Sequence, residues 1–182
     1  QSIAKAIADC SQLALWVGSA GLAEMIPAVM GWPRQEPFSS MTDANGPVLI
    51  VAGSVSKVTH RQMEVILSKG QVRLVSLQAA TLIDDEDGEI RRCSQAAAQG
   101  LAEGLDVLLA SAMTADAVVL ARAAGLSKGL DNLKVSEIIA DALGQVVREL
   151  VSLKPAGLFL TGGDTAIAVC RALDFNAIEI LA

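Results

Sequence analysis

LFLTGGDTAIAVCRALDF, Leu158–Phe175, runs apolar, breaks into two glycines, an aspartate and a threonine, and then becomes apolar again. A short apolar run closed by Gly-Gly and followed by a periodic stretch reads as strand, turn and helix. The same succession occurs twice upstream. LALWVGSAG, Leu13–Gly21, and VLIVAGSVS, Val48–Ser56, each leave an apolar run through glycine and a small or polar residue, with a helical stretch soon afterwards.

The segments between these three repeat the alternation. THRQMEVILSKG reads as a helix with capping-box spacing at Thr59 and Gln62, ending at Gly70. QVRLVSL is a strand, IRRCSQAAAQGLAEGL a helix, DVLLAS a strand, DALGQVVRELVSLK an amphipathic helix, and AIEILA the start of one more strand. DDEDGE, Asp84–Glu89, reads as a charged, solvated turn, because it lacks the alternating oxygen ligands and closing glutamate of a calcium loop. GSAGLAEMIPAVMG is a turn and then a helix interrupted by Pro27. Alternating strands and helices imply an α/β fold with a parallel or mixed Rossmann-like sheet and helices on both faces. The stretch WPRQEPFSSMTDANG, Trp32–Gly46, with two prolines and little periodicity, marks a linker between residues 1–31 and 47–182.

In a parallel sheet the strand exits share one edge, where open α/β folds place their ligands. Glycine lets the backbone turn sharply and approach a ligand, and the first N–H groups of the next helix have no partners within it. Gly162 and Gly163 would therefore offer amides to an anion, with Asp164 or Thr165 capping the helix and the helix dipole favouring phosphate. A plain tight turn with an N-cap has the same composition.

Composition narrows the alternatives. The 182 residues are 52% apolar and include 15 glycines, together about 60% against roughly 45–50% for ordinary domains. Strands buried on both faces, and a docking surface, account for the excess. No run of 18 apolar residues occurs, which argues against a membrane span. A net charge of −6 without a basic block argues against nucleic acid. Cys10, Cys93 and Cys170 are scattered, without metal spacing, and read as reduced core thiols of a cytoplasmic protein. The opening QSIAKAIADC lacks an initiator Met and a leader pattern. No GxxxxGK[ST] and no GxGxxG after a strand is present, and GLSKGL at Gly125 has the wrong spacing. GxSxG is also missing, and the single histidine, His60, sits in the first turn of a helix, so a Ser-His-Asp triad has little to rest on.

As a set, PVLIVAGSVSKVTHRQMEVIL, LFLTGGDTAIAVCRAL and WVGSAGLAE resemble the four-carbon acid sugar kinase family, whose members have an N-terminal substrate-binding and a C-terminal nucleotide-binding domain. The resemblance implies that residues 1–31 end the first domain, 32–46 link, and 47–182 form most of the second, without a further glycine-rich segment found beyond it in the family. It implies an ATP-dependent kinase of threonate- or erythronate-type acids. The AGSVS turn would bring Gly53, Ser54 and Ser56 to the nucleotide, and the GGDT turn Gly162, Gly163, Asp164 and Thr165. Asp164, acidic beside an anion, is assigned to Mg²⁺ or its water shell, with an N-cap role as its alternative. Lys57 adds charge at the rim or is simply solvated. No residue can be named as general base. A non-catalytic nucleotide or sugar-phosphate binding module would show the same turns. The partner expected besides the small-molecule acid is a second copy, a homodimer formed through Leu13–Met30.

Overall fold

The computed structural model describes residues 5–6, 20–33, 45–53, 56–111 and 114–175. The expected strands at LALWV and AIEILA, and part of the expected Leu13–Met30 contact, lie outside these residues. The chain divides into two compact units, Gln1–Thr42 with Glu179–Ala182, and Asp43–Ile178. In the first, helix α1 (Ala20–Met30) contains Pro27 and is not broken by it. The ring costs one backbone bond within the helix, and the chain leaves through Gly31 in a left-handed conformation (φ 67°).

In the second unit, four strands form an all-parallel sheet: β1 (Val48–Ala52), β2 (Val72–Ser76), β3 (Asp106–Ala110) and β4 (Gly157–Thr161), in the order β2-β3-β1-β4. Among the described residues six α-helices connect or follow them: α2 (Lys57–Ser68), α3 (Ala79–Asp84), α4 (Glu86–Ala102), α5 (Ala115–Ser127), α6 (Asn132–Leu150) and α7 (Gly163–Ala172). The molecule is thus α/β with a parallel Rossmann-like sheet.

The central strands β1 and β3 are runs of Val, Leu, Ile and Ala because both their faces are covered. Leu49, Val51, Val107 and Leu109 point to one face and pack with Cys93 and Ala97 of α4, Leu143 and Val147 of α6 and Val169 of α7. The alternate residues Ala52, Leu108 and Ala110 pack under Met63 of α2. On that second face Phe159 and Leu74 remain 58% and 40% exposed. At the amino edge of the sheet, the Val48 N–H donates to Asp106 Oδ1 at 2.8 Å, joining the starts of β1 and β3.

Helix starts differ from the expected ones in two places. Helix α2 begins before Thr59, because Ser56 is the cap: its Oγ accepts from the Thr59 N–H at 3.1 Å. The Asp84–Glu89 stretch is mostly helix, not a solvated turn. Asp85 caps α4 by accepting from the Gly88 N–H at 3.0 Å, and Glu86, Asp87 and Glu89 occupy its first turn, where acidic side chains meet the positive end of the helix dipole. Among the described residues no helix is long and apolar enough to cross a membrane.

Candidate nucleotide site

The site begins with strand order. β1 leads to α2 on one face of the sheet, whereas β3, by way of α5, leads to α6, and β4 leads to α7, both packed on the other face, which opens a crevice at their carboxyl ends. Because Ala52 pairs with Thr161, the two glycine exits lie side by side, and the Gly53 N–H donates to Thr161 O at 3.4 Å. Ser111, which follows β3, closes the row. Its N–H donates to Ala52 O at 3.1 Å and its hydroxyl to Gly53 O at 3.3 Å.

A cavity of about 360 Å³ opens over this row. Gly53, Ser111 and Gly162–Thr165 line it from the sheet edge, Ala79 from α3, and side chains of α5 and α6 form the remaining wall. Five of the seven predicted residues therefore share one space: Gly53, Gly162, Gly163, Asp164 and Thr165. Ser56 does not line it, since its hydroxyl caps α2 and meets Thr59 Oγ1 at 2.9 Å. Ser54 lies outside the described residues. Lys57 opens α2 with its side chain exposed, and does not line the cavity.

The two glycines of the GGDT turn do different work. Gly162, with φ 100° and ψ 127°, holds a backbone conformation that a side chain disfavours, and it is the N-cap of α7. Gly163 has no positive φ and open space where a Cβ would stand. Neither Asp164 nor Thr165 caps the helix, because both already lie inside its first turn, Asp164 exposed and Thr165 only 4% exposed. No side chain caps α7, whereas Ser56, Asp85, Thr114 and Asp131 cap α2, α4, α5 and α6. The leading amides of α7 are left for an acceptor entering the cavity, at the positive end of the helix dipole.

Gly53 serves a purpose of its own. A Cβ there would overlap Thr165 Oγ1 and come within 3.1 Å of Thr165 Cβ and 3.4 Å of Leu143 Cδ1. The missing side chain lets β1's exit and the first turn of α7 close on each other.

The wall above β2 is held by a charge missed in the sequence. Glu89 is 1% exposed. Its carboxylate accepts from the Gln78 N–H at 2.6 Å and from Arg92 Nε at 2.8 Å, and Arg92 Nη2 also donates to Ser76 O at 2.6 Å. Burial pushes the Glu89 carboxyl up, but Arg92 and the Gln78 amide outweigh it and hold the group below the usual carboxylate range. Gln78 and the cavity-lining Ala79 start α3, so this pair fixes one side of the site. Cys93 beside it is a free thiol whose pKa burial pushes up to about 12, and Cys170 is also unpaired.

Arg122, Asn132 and Ser136 also line the cavity. They were not legible as site residues because no local motif contains them; only the packing of α5 against α6 brings them in. Arg122 makes no ion pair among the described residues, unlike Arg73, Arg92, Lys128 and Lys134. Among the described residues Asp164 is the one carboxylate lining the cavity, and they hold no cluster of three or more His, Cys, Asp or Glu side chains suited to a metal.

Comparison with known proteins identifies the domain type. The family model of a nucleotide-binding C-terminal domain matches residues 49–182. A curated relative, D-threonate kinase of Salmonella typhimurium, is 31% identical over 180 residues, covering 98% of this chain and 41% of the relative. The chain thus spans about two-fifths of that relative's length.

Proposed function

The chain belongs to the four-carbon acid sugar kinase family as its nucleotide-binding C-terminal domain, and from that premise we propose that it holds ATP for phosphorylation of a threonate- or erythronate-type acid. One observation carries the reading: the uncapped start of α7 and the paired exits of β1 and β4 face one cavity at the carboxyl edge of the sheet. Residues 47–182 are the nucleotide-binding domain, 32–46 a linker, and 1–31 the end of a substrate-binding domain. The free thiols fit a cytoplasmic protein.

Phosphoryl transfer rests on positioning and on neutralising charge, with little covalent chemistry from side chains. The leading amides of α7 receive phosphate oxygens, with Gly162 turning the backbone so that they face the cavity. Arg122 supplies the positive charge. Asp164 suits Mg²⁺, which takes one or two carboxylates and completes its shell with water and phosphate. Bound there, the ion would neutralise charge on the transferred group.

The test is an assay of the full-length protein with ATP, Mg²⁺ and a panel of four-carbon sugar acids. ADP release that depends on one of the acids is expected. Tight ADP binding without turnover on any acid would replace the kinase with a non-catalytic nucleotide module, and absence of nucleotide binding would remove both.

A further inference from the structure

With phosphate at the start of α7, the rest of the cavity must receive the remainder of the nucleotide, and its lining changes character there. Ala117 and Ala121 stand one turn apart on α5, and Val135 and Ile139 one turn apart on α6, forming two apolar stripes along the wall. The corner that joins them is tightly built. Leu130 N–H donates to Gly125 O at 2.9 Å, and a Cβ on Gly125 would overlap Val135 Cγ2. The wall is therefore set before a ligand arrives, as a specificity surface requires.

Two groups at this wall have hydrogen-bonding capacity to spare, Arg122, already assigned to the phosphates, and Asn132. Asn132 is the first residue of α6, after the Asp131 cap. Its backbone carbonyl is taken by Ser136 Oγ at 3.0 Å, Asp131 is taken by the Lys134 N–H at 2.7 Å, and Lys134 pairs with Glu137 at 3.0 Å. The Asn132 carboxamide, on an exposed residue, makes no hydrogen bond among the described residues, leaving one amino group and one carbonyl at the cavity, beside Ser136 and Arg122 and next to the two apolar stripes.

We infer that the α5–α6 wall receives the nucleobase and that Asn132 selects adenine. The inference rests on the nucleotide reading of the same cavity. A carboxamide pairs at once with the amino group and N7 of adenine, whereas guanine presents two acceptors at that edge and leaves the carbonyl of the amide facing an acceptor. The small side chains of α5 leave room for a flat ring, and the α6 stripe supplies apolar contact beneath it. Base specificity thus resides in α6, while charge is handled at the GGDT turn and by Arg122 of α5.

The experiment measures binding of ATP, GTP and inorganic tripolyphosphate to the full-length protein and to Asn132→Ala and Asn132→Asp. The aspartate keeps the size and suits a first helical turn. We expect both substitutions to reduce the ATP-over-GTP preference about ten-fold, with tripolyphosphate affinity and thermal melting unchanged. An unchanged preference overturns the inference while leaving the nucleotide reading intact. Equal loss of tripolyphosphate binding overturns it by moving Asn132 to the phosphates. Failure of the unsubstituted protein to bind any of the three overturns the nucleotide reading itself.

Discussion

Placing an alanine at Gly53 tests whether that glycine serves the protein's own packing or only the approach of a ligand. The added methyl would overlap Thr165 Oγ1 and lie 3.1 Å from Thr165 Cβ and 3.4 Å from Leu143 Cδ1. Thr165 is 4% exposed and Leu143 fully buried, so neither side chain can swing into solvent. A helical β-branched residue also has few χ1 alternatives. Overpacking of this kind costs about 1–3 kcal/mol, and two flanking contacts place Gly53→Ala near 2 kcal/mol. At about 2–4 °C per kcal/mol for a chain of this size, the melting temperature falls by roughly 6 °C without ligand. Thr165→Ala removes the overlapping oxygen but keeps the Cβ, so the double variant recovers only part of the loss. A double-mutant cycle by thermal or urea unfolding reads that coupling. If Gly53→Ala melts with the unsubstituted protein and loses only nucleotide affinity, the packing argument is wrong and the glycine serves the ligand.

Three further outcomes follow from the same geometry. Gly162→Ala, at φ 100°, loses about 1–3 kcal/mol in denaturant unfolding, while Gly163→Ala, with open space at its Cβ, loses none; equal losses would show that the strain is misplaced. Arg122→Ala weakens ATP binding about ten-fold and flattens its salt dependence, and titration calorimetry at two ionic strengths would expose an arginine that merely solvates. Because the Glu89 carboxyl is held below its ordinary 4.5, its contribution is complete above that pH and is lost as pH falls through the lower folded value. Glu89→Gln should cost about 2 kcal/mol at neutral pH and less on acidification, so melting curves that diverge further below pH 4 would contradict the assignment.

Much of the sheet was legible because its central strands β1 and β3 are covered on both faces, and the apolar runs of β1, β3 and β4 stand out in the sequence. The glycine exits were legible for the same reason, since Gly53 and Gly162 interrupt those runs at the point where the chain must turn. What escaped depends on distance in the chain. Nothing local distinguishes Ser56, which caps α2, from a ligand-binding serine, and only the hydrogen bond from the Thr59 N–H decides it. Gly162 and Gly163 are identical in composition, and backbone angle alone assigns the strain to the first. Glu89 looked solvated among five other polar or glycine neighbours, yet a helical start at Glu86 turns it toward the chain just past β2, where Gln78 and Arg92 receive it. Arg122 and Asn132 lie on helices whose meeting no pattern in either helix announces.

The order β2-β3-β1-β4 also has a temporal meaning. Of the described strands, the one made first has no partner in the one made next: β1 waits for β3, to which it is joined by Val48 and Asp106 across 58 residues, and then for β4. β2 and β3, linked through α3 and α4, are the neighbours that can pair soonest. During synthesis VLIVA therefore emerges as an unpaired apolar strand, and contacts this far apart slow folding and lengthen exposure to aggregation. Gly53 and Gly162 meet only when β4 docks on β1, so the paired glycine exits are completed in the last of the described ladders to close.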